Sequence, residues 1–183
     1  MNWIIRHFTP ISILSIIFSI LWIGLTSFLL PLPVHQSASA PRAGFSAPDF
    51  SLPDLQGSSL QLGDLKGKVV ILNFWASWCS PCKAEMPAFQ SVYSQWKEEG
   101  IEIVAVNTTS QDSLAGIQSF VSSYQLSFPI LLDSDGSVNQ LYRVQALPTT
   151  FLIDRQGMIR EVIIGGPVPE ASLIQKVEML IKE

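Results

Sequence analysis

The sequence predicts an α/β domain with a central mixed sheet flanked by helices, preceded by one apolar N-terminal helix. Three observations carry that expectation. Lys68–Trp75 (KVVILNFW) is a near-continuous apolar run, the pattern of a strand buried on both faces. Ile101–Val106 (IEIVAV) repeats it after a stretch of helical periodicity, which makes a strand–helix–strand unit. Thr149–Ile153 and Met158–Ile164 bracket Arg155-Gln156-Gly157, so they read as an antiparallel pair and make the sheet mixed.

Taken in order, residues 1–10 form a short tail bearing Arg6. Ile11–Leu30 is free of charge and bounded by Pro10 and Pro31, and at about 1.5 Å rise per residue it spans roughly 30 Å, a bilayer core. Residues 11–32 are therefore expected to be a transmembrane anchor, with the tail on the cytoplasmic side and the rest of the chain outside. A cleaved signal peptide is the alternative, for which Ala38-Ser39-Ala40 offers a site. The apolar run is longer than the usual signal core of roughly 7–15 residues, and Pro41 would become the new terminus, so the retained anchor is preferred. Both readings export the remainder. Residues 33–46, rich in Ser, Ala and Pro, read as a linker, and residues 47–183 as the folded domain.

Within the domain, Phe50–Leu55 and Ser59–Leu62 flank Gln56-Gly57 as a small hairpin. A helix is expected from Ser80 to Glu98, directly after the first central strand. Leu114, Ile117, Val121 and Tyr124 recur at helical spacing and predict a second amphipathic helix, despite Gly116. Phe128–Leu132 is strand-like, and Val138–Arg143 makes a helical turn or two. Gly165-Gly166-Pro167 breaks the chain before a last amphipathic helix through Leu173, Ile174, Val177, Leu180 and Ile181. From Ala43 onward nine basic side chains face fifteen acidic ones, with no basic patch, which argues against nucleic acid as a partner. Asn107-Thr108-Thr109 matches a glycosylation sequon, too frequent a triplet to carry weight.

Cys79 and Cys82, in Trp78-Cys79-Ser80-Pro81-Cys82, are the only cysteines. A structural zinc site needs four ligands, and only His7 and His35, both outside the domain, could join them; no metal is expected. Haem attachment needs a His after the second cysteine, where this chain has Lys83. A structural disulfide remains open, although a loop this small constrains the unfolded chain little. Redox chemistry explains the placement better. Cys79 falls where a buried strand ends and a helix begins, so unpaired N–H groups and the helix dipole favour its thiolate. Pro81 suits the first helical turn, and Cys82 lies one turn on, where it can resolve a mixed disulfide. Glu85 shares a stripe with Cys82, Phe89, Val92 and Trp96, while Lys83, Gln90, Ser94 and Lys97 lie on a polar one. A carboxylate on the apolar stripe would be partly buried, with a raised pKa, and could exchange a proton with a cysteine. Periodicity alone equally allows a surface glutamate whose stem skirts the core.

Phe74–Lys83 (FWASWCSPCK), Pro87, and Leu147-Pro148-Thr149-Thr150-Phe151 resemble the thioredoxin superfamily. With the apolar N-terminal segment, Ala47-Pro48-Asp49-Phe50 and the stretch from about Asn107 to Pro129, the chain resembles the membrane-anchored TlpA/ResA-type thiol-disulfide oxidoreductases. That resemblance implies a thioredoxin fold with a helical insertion and a redox-active disulfide of Cys79 and Cys82. Cys79 would be the exposed nucleophile and Cys82 the resolving thiol. It also implies a cis peptide before Pro148, and a substrate-binding rim of Trp78, Ser80, Pro81, Leu147 and Pro148. Thioredoxin carries a buried Asp where this chain has Asn73, which cannot relay a proton, and ResA-type proteins carry a glutamate matching Glu85. The implied partners are a disulfide-containing protein substrate, such as apocytochrome c, and a membrane thiol–disulfide electron donor. No cofactor is implied. The opening of the domain also resembles peroxiredoxins, but Leu72 and Ala76 stand where their Pro-x-x-x-Thr-x-x-Cys pattern needs Pro and Thr. A redox-inert module holding extended peptides near Pro148 is the remaining alternative.

Overall fold

The computed structural model describes residues 39–182, together with residues 16, 18–20 and 22 of the N-terminal segment. The tail 1–10, the rest of the anchor 11–32 and residues 33–38 of the linker lie outside the described residues. No helix among the described residues is long and apolar enough to cross a membrane. Ser37–Glu183 forms one compact unit.

Its sheet has five strands in the order β5-β4-β3-β6-β7, formed by β3 (Val69–Trp75), β4 (Ile101–Asn107), β5 (Ile130–Leu132), β6 (Thr149–Ile153) and β7 (Ile159–Ile164). β3, β4 and β5 run parallel, β6 is antiparallel to β3, and β7 is antiparallel to β6. A separate hairpin of β1 (Ser51–Pro53) and β2 (Ser59–Gln61) precedes it. The helices are α1 (Ser80–Trp96), α2 (Leu114–Ser123), α3 (Ser137–Leu141) and α4 (Glu170–Lys182). This is the expected mixed-sheet α/β architecture.

Strand β3 organises the domain. All seven of its residues are buried, and alternation sends them to opposite faces. Val69, Ile71 and Trp75 join the core under α1 and α4, with Phe89, Val92, Leu173 and Val177. Val70, Leu72 and Phe74 join a second core closed by Phe50, Leu52, Leu62, Val138 and Tyr142. The hairpin and α3 therefore supply the cover that a strand apolar on both faces demands.

Two expectations need correction. Of the apolar recurrence that marked the second helix, Leu114 is 54% exposed, and Ile117 goes inside together with Phe120, which lay outside that recurrence. Close approach explains this. A Cβ at Gly116 would stand 2.9 Å from Ser77 Oγ, so the helix leans on the chain before Cys79 through its glycine side. The end of the predicted linker is also ordered against the sheet. Gly44 N–H donates to Ile159 O, Ile159 N–H to Phe45 O, and Ala47 N–H to Gly157 O.

In the second core the buried hydroxyl of Tyr142 donates to Pro48 O at 2.6 Å. Its ring packs against Phe50, Phe74 and Phe151. Tyr142→Phe keeps the ring and leaves the Pro48 carbonyl without its donor. The expected loss is about 1–3 kcal/mol of stability, read as a lower denaturant midpoint with unchanged m.

Candidate active site

Cys79 ends the segment leaving β3 and serves as N-cap of α1, with extended backbone (φ −78°, ψ 111°). Its carbonyl accepts from Lys83 N–H, and its sulfur accepts from Cys82 N–H at 3.2 Å. The two cysteines form a disulfide with Cα atoms 5.3 Å apart. Once reduced, a thiolate at Cys79 would keep that N–H and the positive end of the helix dipole, the setting that lowers a thiol's pKa. The exposure implied for Cys79 is largely missing in the disulfide form: the residue is 4% accessible and Cys82 is fully buried. Ser80 and Trp78 are exposed beside them, Trp78 at 54%.

The segment before Cys79 is held from the loop after β4. Ser77 donates both its N–H and its hydroxyl to the two oxygens of Asp112, each at 2.6 Å. The same carboxylate accepts from Asn107 Nδ2 and Ser113 N–H. Burial opposes ionisation of Asp112, but the hydrogen bonds from Asn107, Ser77 and Ser113 outweigh it and hold the carboxyl below its ordinary range. One residue earlier, Gln111 O accepts from the indole N–H of Trp78 at 2.9 Å. Asp112 and Gln111 escaped the sequence reading because Ser77 lies 35 residues away and Ser-Gln-Asp-Ser reads as a helix-capping loop. The sequon residue Asn107 is itself buried and engaged with Asp112.

Beneath the disulfide lies Glu85, one helical turn beyond Cys82 and fully buried. The surface alternative is thereby excluded. Asn73 Nδ2 donates to Glu85 Oε1 at 2.9 Å and to Thr150 Oγ1 at 3.0 Å, and Val168 N–H donates to Glu85 Oε2 at 3.2 Å. Burial raises the carboxyl from 4.5 to about 7, against the opposing pull of the Val168 and Asn73 hydrogen bonds. Asn73 cannot move a proton, but an amide offers a donor to the carboxylate and, turned over, an acceptor to the acid. Its Oδ1 has no hydrogen-bond partner in the present orientation.

The Leu147–Pro148 peptide is cis, and Pro148 is buried just ahead of β6. The β3–β6 register pairs Asn73 with Thr150 and Phe74 with Thr149, which sets Pro148 level with the end of β3 and so beside the cysteine-bearing turn. Leu147 is half-buried at the rim. Gly166–Pro167 is a second cis peptide that the sequence reading took only as a chain break.

This arrangement, a disulfide capping the helix after a central strand with a cis-proline alongside, places the chain in the class of thioredoxin-fold thiol–disulfide oxidoreductases. The chain belongs to the AhpC/TSA family, whose model matches residues 43–162. It is 40% identical over 147 residues to the thiol-disulfide oxidoreductase ResA of Bacillus thuringiensis, covering 80% of this chain and 84% of that protein. The crystal structure of StoA from Bacillus subtilis superposes with a TM-score of 0.61 at 34% identity, covering 70% of this chain and 96% of that one. A secreted disulfide oxidoreductase of Mycobacterium tuberculosis superposes with a TM-score of 0.65 at 28% identity, covering 72% and 96%.

A raised pKa at Glu85 has a stability consequence of definite sign. Between pH 4.5 and about 7 the folded protein holds a proton that the unfolded chain has released. Its contribution is therefore full below pH 4.5, falls as pH rises, and is gone above about 7. Wild-type stability relative to Glu85→Gln, measured on the oxidised protein, is expected to decline by up to about 3 kcal/mol across that window. Denaturant melts at half-unit pH steps would show it, and a difference that is flat with pH would contradict it.

Proposed function

We propose that this chain is an extracytoplasmic, membrane-anchored reductant of protein disulfides. The observation that carries the catalytic reading is the Cys79–Cys82 disulfide at the start of α1 with a dehydrated carboxyl one turn below it. In the reduced enzyme, the Cys79 thiolate attacks one sulfur of a substrate disulfide. A mixed disulfide forms and the other substrate sulfur leaves as a thiolate, taking a proton from solvent. Cys82 loses its proton to Glu85 and attacks Cys79 Sγ, which closes the Cys79–Cys82 disulfide and expels the second substrate sulfur as a thiolate that takes its proton from solvent. Two electrons pass to the substrate, and a dithiol donor in the membrane restores the enzyme by the reverse steps. Trp78, Ser80, Pro81, Leu147 and Pro148 form the rim on which an extended substrate segment lies.

Residues 11–32 supply the anchor, and the apolar run of Ile11–Leu30 supports it. The secreted mycobacterial neighbour agrees with an exported domain. The substrate reading is the cysteine pair of apocytochrome c before haem attachment, which the ResA likeness supports.

Cys79→Ser is expected to abolish disulfide reduction. Cys82→Ser is expected to accumulate the mixed disulfide, visible on non-reducing gels. Glu85→Gln should slow resolution by roughly a hundredfold and remove the rate dependence near pH 7. A pH profile identical to wild type would exclude Glu85 as the proton acceptor. Peroxide consumption dependent on Cys79 and faster than disulfide reduction would instead favour the peroxidase reading.

A further inference from the structure

Two adjacent glycines follow β7, and different constraints select them. Gly165 has φ +83°, the left-handed region, and a Cβ there would meet nothing within 4 Å. Gly166 has no such backbone requirement; its constraint is space. A Cβ on Gly166 would stand 2.7 Å from Glu85 Oε2 and 2.7 Å from Pro148 Cγ. Ordinary carbon contacts lie near 3.5–4.0 Å, so any side chain must push one of these groups away. Pro148 has little room to yield, because it is buried and its carbonyl accepts from Gly165 N–H at 2.8 Å. The backbone thus crosses the carboxylate at a separation only glycine permits. Two residues on, Val168 N–H completes the contact with the same oxygen.

We propose that Gly166 is a positioning residue for Glu85: its bare Cα lets residues 165–168 close directly onto the carboxylate, excluding water and fixing it against Pro148. The catalytic consequence rests on Glu85 as the proton acceptor; the geometric claim does not. In the oxidised protein Cys79 and Cys82, at the start of the helix that carries Glu85, are joined in a disulfide and do not titrate. The sheet presents Asn73 with Thr150 behind it, and the loop presents backbone alone. A loosened loop would therefore bring in water, and water favours the ionised carboxylate.

The test is a direct titration of the Glu85 side-chain carboxyl by ¹³C NMR in the oxidised full-length protein. Gly166→Ala is expected to lower the midpoint by about one pH unit. Gly157→Ala strains the turn between β6 and β7 (φ +83°) without touching the loop, and should reduce stability while leaving the midpoint in place. A folded Gly166→Ala protein with the wild-type midpoint overturns the proposal. Where Gly166→Ala fails to fold, Glu85→Asp in the same background withdraws the carboxylate by one methylene and is expected to restore folding. Failure of that rescue would leave Pro148 as the sole obstacle and also overturn it. Should Glu85→Gln leave the exchange profile unchanged, the proton-acceptor reading falls while the titration still decides the role of Gly166.

Discussion

The burial of β3 on both faces is the constraint from which the rest of the architecture follows. A strand that shows no face to water needs a complete layer on each side. On one side α1 and α4 provide it, and on the other the hairpin, α3 and Tyr142. The one polar side chain in this strand is Asn73, at a position facing α1. It hydrogen-bonds Thr150 on β6 and Glu85 on α1, joining three elements. The buried Glu85 carboxyl and the core are thus parts of one packing solution. Ionising Glu85 works against the desolvation that β3 and its covering layers impose, and that opposition gives the carboxyl a useful range near neutrality.

What could be read in the sequence was local. KVVILNFW announced a doubly buried strand by composition, and Cys79-Ser80-Pro81-Cys82 announced a helix start by capping chemistry. The stripe through Cys82, Glu85, Phe89 and Val92 correctly located the face that goes inside. Periodicity could not choose between a buried Glu85 and a snorkelling one, because the deciding partners are Asn73 in the strand and Val168, 83 residues away. The fate of Leu114 was hidden for a similar reason. The orientation of α2 follows from Gly116 meeting Ser77, a contact between distant segments that no window of sequence contains.

Asp112 shows how an insertion can serve a site without entering it. Its two oxygens hold Ser77, and the neighbouring Gln111 carbonyl holds the Trp78 ring, so the exposed indole is tethered at its polar end. A large aromatic surface fixed in place loses less entropy on meeting a partner than a free one. The segment from β4 to β5 therefore fixes Ser77 and Trp78, while Cys82 and Glu85 lie on α1 with Cys79 at its N-cap.

The chain from Gly44 to Asp54, around β1, has a role unrelated to catalysis. Residues 44–47 pair along Gly157–Ile159, at the start of the outer strand β7, and Asp54 bridges Leu131 on the opposite outer strand β5. One short stretch of chain thus straps part of both margins of the sheet. Open margins are templates on which foreign strands add. The strap occupies positions along Gly157–Ile159 and at Leu131 where such strands would otherwise assemble.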